Sequence, residues 1–302
     1  MATKQKQTLQ ILAPAKINLY LHVTGRRDDG YHTLDSLIGF ADIGDHIKIE
    51  NADDFAFSVE GPFALGFDAK SRDASPHSSN LAVQAAWALS RAAQKTPNVK
   101  ITLTKNLPLA AGIGGGSADA AAVIWGLCEW WNISKSAPFL PGLMLELGAD
   151  VPVCLHARPA QIGGVGEEIT PLEGMEEMPL VLVNPGHPCP TASVFAHYSG
   201  PFRETSSLPA RFENREDFIE FLKAQHNDLY PAAISRVPEI AAVMEALEMQ
   251  DGVMLARMSG SGATCFALLE TPQAAQKTAE ILREENLDWW VQPGHLGSVE
   301  RY

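Results

Sequence analysis

The chain has 302 residues, 46% hydrophobic and 20% charged, with a net charge of −13, the profile of one large or two ordinary globular domains. So acidic a balance argues against a nucleic-acid partner, and no stretch approaches the ~20 consecutive apolar residues of a membrane span. Cys128, Cys154, Cys189 and Cys265 form no CxxC pair and read as reduced, buried thiols rather than a zinc or redox motif, and the N-terminus, MATKQKQTLQ, lacks a signal-peptide core, so the expected compartment is the cytoplasm.

Residues 9–23, LQILAPAKINLYLHV, are apolar and β-branched and predict one or two strands with a break at Pro14. Alternation puts Lys16, Asn18 and Tyr20 on one face, and Ile17 and Leu19 on the other. A lysine there is either a surface residue whose stem covers apolar neighbours or a site residue. RRDDGYH (26–32) is a turn cluster. Its Tyr31 and His32 either pack at the turn or grip a heterocycle, one by stacking and one by hydrogen bonding. Strands are predicted over 35–42 and 45–51, joined through Gly44. The stretch 61–80 has little periodicity and reads as a loop. Asn80 then caps an amphipathic helix over 81–95, and 99–108 predicts a strand.

That strand feeds LPLAAGIGGGSADAA (107–121), with a helix expected from Ser117. Glycines let a backbone approach a ligand closely, and a helix start presents unpaired N–H groups and partial positive charge; both suit phosphate. Ser117 adds a hydroxyl for phosphate or Mg²⁺. The stretch is not a Walker A loop, since no lysine follows the glycines, nor a dinucleotide G-x-G-x-x-G. A turn without a ligand is the plainer alternative, but it needs only one or two glycines, and each costs on the order of 1 kcal/mol relative to alanine.

LGADVPVCLHA (147–157) places Asp150 ahead of an apolar segment, as a turn or cap aspartate or as a site residue. Phosphoryl transfer to an alcohol needs a proton acceptor and a cation, and an Asp and a Lys beside a phosphate loop meet that need. The Gly/Glu/Pro-rich region 160–180 marks the expected boundary between domains over 1–170 and 171–302. Beyond it come a strand over 179–185 and a Pro-rich loop feeding a helix capped by Thr191 or Ser193, with Phe195 close behind. Helices are predicted over 216–229, 238–248 and 271–286, and strands over 263–270 and near 289–293. MSGSGATCFA (258–267) is a second small-residue turn that either closes over phosphates or turns a hairpin corner. Strands cluster at the start rather than alternating with helices, so the class is α+β. The histidines show no HExxH or cluster spacing, so no protein-bound metal site is assigned; Mg²⁺ arriving with ATP needs only one or two protein oxygens.

PAKINLYLHV, LPLAAGIGGGSADAAA, GADVPVCL and MSGSGATCFAL, in this order, resemble the GHMP small-molecule kinases. GRRDDGYHTLDSL, GADVPV and HNDL (226–229) narrow the resemblance to the branch acting on 4-diphosphocytidyl-2-C-methyl-D-erythritol. It covers most of the chain. The resemblance implies a GHMP kinase fold, with an N-terminal domain like the second domain of ribosomal protein S5 and a ferredoxin-like C-terminal domain. It implies ATP-dependent phosphorylation of the substrate's 2-hydroxyl, in non-mevalonate isoprenoid precursor biosynthesis, in the cleft between the domains. ATP brings Mg²⁺, and the protein is a monomer or homodimer.

By the same resemblance, Asp150 takes the hydroxyl proton, Lys16 polarises the hydroxyl and Asn18 sits beside them. Tyr31 and Phe195 match aromatics that sandwich the cytosine, His32 matches the residue bonding its edge, and Thr191 lies near that pocket. Pro108, Leu109, Ala110, Ala111, Gly112, Ile113, Gly114, Gly115, Gly116, Ser117 and Ala118 match the nucleotide phosphate loop. Gly260, Ser261 and Gly262 match the third family motif. Ala110 and Ala111 stand where many relatives carry glycine, and alanine is at ease there only at negative φ. The 61–80 loop looks longer than the family's usual link. The competing readings are a kinase for another small alcohol, homoserine or mevalonate, and a non-catalytic nucleotide-binding protein on the same scaffold.

Overall fold

The computed structural model describes residues 8–209 and 211–301. The N-terminal stretch read above for a signal peptide lies, through residue 7, outside the described residues.

A long antiparallel hairpin opens the chain: β1 (Thr8–Arg26) and β2 (His32–Asn51). Pro14 does not break β1. It sits opposite Gly44 beside a register shift, where a residue without an N–H is tolerated, and Gly44 lies inside β2 rather than in a connection. A second shift between Asn18 and Tyr20 undoes the expected alternation. The extra residue turns Tyr20 inward, so it joins Ile17 and Leu19 in one core cluster, while Lys16 and Asn18 stay on the cleft.

There follow β3 (Ala56–Glu60), a 3₁₀ turn (Ala64–Gly66), α1 (Ala69–Arg72), α2 (Leu81–Ala92), β4 (Val99–Thr104) and α3 (Gly115–Trp130). Then come α4 (Leu140–Leu147), α5 (Val151–His156), β5 (Ala160–Gly163), β6 (Glu168–Pro171), β7 (Met178–Asn184) and α6 (Thr191–Ala196). The chain continues through α7 (Arg215–Lys223), α8 (Tyr230–Arg236), α9 (Glu239–Glu248), β8 (Val253–Met258), β9 (Cys265–Leu269), α10 (Pro272–Glu285) and β10 (Trp290–Gly297). Several elements differ from expectation. The 61–80 stretch is built rather than featureless: Asp68 accepts from Ser71 N at 2.8 Å to cap α1, and Trp87 Nε1 donates to Ala74 O at 2.8 Å. The region 160–180 carries β5 and β6. The helix expected over 216–229 stops at Lys223, because 226–228 pairs with β1: Leu21 N donates to His226 O and Asp228 N to Leu21 O.

One mixed sheet runs in the order β3-β4-β2-β10-β7-β9-β8, with β1 and β5 also on β2 and β6 on β5. Among the described residues, β3–β4 is the one parallel strand pair, beside an isolated parallel bridge between Leu21 and Asn227. The last strand, β10, returns to lie between β2 and β7 and joins the two halves. Asn80 Oδ1 accepts from Ala82 N at 2.9 Å and caps α2, as expected. α2 and α3 cover the first half through small side chains, Ala82, Ala85, Ala118 and Ala121 among them. At Gly126 a Cβ would sit 2.6 Å from Ile11 Cδ1, so α3 lies directly on β1. A second cluster, with α8, α9 and α10, covers the other half. No helix among the described residues is long and apolar enough to cross a membrane.

Candidate active site

The stretch after β4 is pinned by its carbonyls. Ala110 O accepts from Cys189 N at 3.1 Å, Ala111 O from Thr264 N at 3.1 Å, Gly112 O from Ser259 Oγ at 3.0 Å and Ile113 O from Lys16 N at 3.0 Å. Three segments distant in sequence thus converge on four consecutive residues. Gly114, at φ +64°, caps α3, which starts at Gly115 rather than Ser117. The first N–H groups of a helix have no partner within it, so the Gly115–Ser117 end presents donors and a positive dipole to the cleft. Ala110 sits at φ +49°, against the expectation of negative φ. Its left-handed backbone costs about 1–2 kcal/mol, offset by the lock of its carbonyl onto Cys189.

Gly112 admits no side chain. At φ +73° a Cβ would lie 2.5 Å from Ser259 O and 2.6 Å from Gly262 N. Gly112→Ala is therefore expected to raise the ATP KM tenfold or more and to lower the urea midpoint, since φ alone costs about 1–2 kcal/mol; unchanged values in both would deny the close contact of the two loops.

Lys16 Nζ lies 3.0 Å from Asp150 Oδ2; the lysine is buried and the aspartate side chain 38% exposed. Asp150 occupies the N-cap position of α5 but makes no cap bond. Asn18 donates from its backbone to Ser259 Oγ at 3.0 Å and from Nδ2 to Ser36 Oγ at 2.8 Å, while its buried Oδ1 has no partner. These residues line a cleft of about 590 Å³ with Pro108 to Ser117, Thr191, Phe195, Gly260 and Ser261. Ala118 is turned into the core, and Gly262 does not line the cleft.

The third turn is both a hairpin corner between β8 and β9 and a wall of the cleft. Asn227 holds it, donating from Nδ2 to Met258 O and Gly260 O, each at 2.8 Å. The HNDL motif was legible; its clamp on a turn 31 to 33 residues away was not. Thr191 does not cap α6, whose N-cap is Pro190; its hydroxyl lies 2.9 Å from Ser261 Oγ.

A second cavity of about 690 Å³ adjoins the first, sharing Leu34, Val165, Thr191 and Phe195. Tyr31, 67% exposed, stands on its rim. His32 stacks on Phe195, with centroids 5.2 Å apart, and meets Tyr198 edge-on at 5.8 Å. Burial holds the His32 imidazole below its ordinary range, and the Arg26 charge adds to this.

Beneath the start of α3 lies a buried triad that sequence reasoning missed. Lys105 Nζ is 2.5 Å from Asp45 Oδ2 and 2.9 Å from Asp119 Oδ2. Burial opposes the charged form of Lys105, but Asp119 and Asp45 together raise its pKa.

Residues 80–158 match the family model of the GHMP kinases N terminal domain, and 211–287 that of the GHMP kinases C terminal region. A 4-diphosphocytidyl-2-C-methyl-D-erythritol kinase of Roseobacter denitrificans is 44% identical over 99% of this chain and 97% of its own length. The chain belongs to the GHMP kinase family. A crystal structure of 4-(cytidine 5'-diphospho)-2C-methyl-D-erythritol kinase superposes on this GHMP kinase with a TM-score of 0.76, at 33% identity, over 96% of this chain and all (100%) of that one. Homoserine kinase from Cytophaga hutchinsonii shares the fold alone, with a TM-score of 0.69 at 16% identity over 100% of this chain and 99% of its own. The GHMP kinase fold expected from the motifs is thus the fold present.

Proposed function

We propose that this GHMP kinase transfers the γ-phosphoryl group of ATP to the 2-hydroxyl of 4-diphosphocytidyl-2-C-methyl-D-erythritol, in non-mevalonate isoprenoid precursor biosynthesis. The observation that carries the reading is the Lys16–Asp150 pair, 3.0 Å apart on a glycine-walled cleft that adjoins an aromatic cavity. Asp150 accepts the hydroxyl proton as the alcohol oxygen bonds to the γ-phosphorus and the bond to the ADP oxygen breaks. Lys16 stabilises the negative charge developing on that oxygen, and Asn18 Oδ1, buried and unpartnered, is available to orient the acceptor. The Gly112–Ser117 stretch receives the triphosphate at the α3 N-terminus. Cytosine is gripped between Tyr31 and Phe195, with His32, stacked on Phe195, bonding its edge.

Mg²⁺ bound with the nucleotide supplies neutralising charge at the phosphate oxygens. Ser117 on the cleft and Asp119, whose Oδ1 is buried without a partner, would hold it. Four buried free cysteines fit a cytoplasmic site of action. Division into domains over 1–170 and 171–302 and a monomeric or homodimeric state complete the reading; the first and second core clusters draw mainly on opposite sides of that division.

Purified protein with ATP, Mg²⁺ and the diphosphocytidyl alcohol is expected to release ADP, and homoserine or mevalonate to release none. Tyr31→Ala is expected to raise the KM for the diphosphocytidyl alcohol at least tenfold while the ATP KM stays within twofold. ADP release with homoserine or mevalonate alone would overturn the substrate assignment.

A further inference from the structure

Among the described residues, the two cavities are lined by three lysine or arginine side chains, Lys16, Lys105 and Arg26. Lys16 is held by Asp150, and Lys105 by Asp45 and Asp119. Neighbouring Arg27 lines neither cavity and pairs with Asp29 at 2.8 Å. Among the described residues, the Arg26 guanidinium has no hydrogen-bond or ion-pair partner. It is exposed at the end of β1, directly opposite His32 in the β1–β2 register, on the wall of the aromatic cavity.

We infer that Arg26 binds the diphosphate of the acceptor and makes this cavity prefer a cytidine diphosphate over uncharged cytidine. The inference rests on the proposed function. A base stacked between Tyr31 and Phe195, with its alcohol at Lys16 and Asp150, carries its diphosphate between the two cavities. The chain's net charge of −13 repels such a ligand unless a local cation compensates. A guanidinium matches two phosphate oxygens at once, which an ammonium does not. His32 adds no positive charge to this wall. Burial and Arg26 itself favour its neutral form, which suits hydrogen bonding to a base edge.

Calorimetry of the full chain, its nucleotide cleft filled with a non-hydrolysable ATP analogue, tests this with CDP and cytidine as probes. Wild-type protein is expected to bind CDP at least tenfold more tightly than cytidine at low salt. Arg26→Gln is expected to weaken CDP at least tenfold while cytidine stays within twofold, and Arg26→Lys to keep part of the CDP preference. In turnover, Arg26→Gln raises the KM for the diphosphocytidyl alcohol and leaves kcat within about threefold. An unchanged CDP-to-cytidine ratio, or equal weakening of both probes, overturns the inference and leaves the proposed function standing. Wild-type protein that binds neither probe overturns both.

Discussion

Asp150→Asn is expected to lower turnover at least a thousandfold, about 4 kcal/mol of barrier, while ATP affinity stays within tenfold, about 1.4 kcal/mol. Asparagine keeps the shape and removes the proton acceptor, and a positioned general base contributes on the order of 10²–10⁴-fold. It also leaves the buried Lys16 ammonium without its partner at 3.0 Å. Any loss of stability is expected to come from the unpaired Lys16 ammonium and not from the helix. Asp150 occupies an N-cap position without capping, so the helix loses no bond; an aspartate that does cap is worth about 1 kcal/mol. The carboxylate turns to Lys16 instead, a local choice that packing does not need and chemistry does. A coupled ADP-release assay beside nucleotide titration separates the two effects. Near-normal turnover would refute the base assignment, and a large loss of ATP affinity would move Asp150 to the nucleotide site.

Much of this site was legible because its pieces are short and local. PAKIN, the glycine run, GADVP and MSGSG each carry their own signal, and their order pointed to the family. What stayed hidden depends on register and on distance. Whether Tyr20 faces the cleft is decided by one extra residue between Asn18 and Tyr20, and period-2 counting carries no mark of it. The strand β8, Val253–Met258, was missed because Gly252 and Arg257 interrupt its pattern. Arg257 is buried all the same, its guanidinium donating to Leu222 O and Gln225 O at 2.8 Å each. The left-handed Ala110 contradicts residue preference and is held by a bond to Cys189, 79 positions on by chain number (189 − 110). Lys105 stands at the end of a predicted strand with nothing local to single it out; its partners stand 60 residues before and 14 after it.

Lys105→Met is expected to destabilise the fold by about 3–5 kcal/mol, the usual cost of removing one member of a buried ionic cluster. The loss falls on Asp119 more than on Asp45. Asp45 Oδ1 still accepts from Asn106 N at 2.6 Å and Leu107 N at 2.9 Å, whereas Asp119 Oδ2 bonds Lys105 and its Oδ1 has no partner. Burial already raises the Asp119 pKa with Lys105 present, and removing the lysine takes away the charge that opposes that rise. A carboxyl with a folded pKa above its unfolded one loses stability as pH climbs from the ordinary carboxylate range through the raised value. The deficit of the variant should therefore be larger at about pH 8 than at about pH 6. Urea unfolding at both pH values, with an unchanged slope, reads this directly. Function follows the same path, because a Cβ on Gly115 would lie only 3.1 Å from Lys105 Nζ: the ammonium supports the first residue of α3. The variant is thus expected to bind ATP more weakly, the reverse of Asp150→Asn, where binding survives and turnover does not. Adding Asp119→Asn to Lys105→Met removes the stranded charge and should recover at least half of the lost stability and flatten the pH dependence. No recovery would place the cost on Asp45 and its two backbone donors instead.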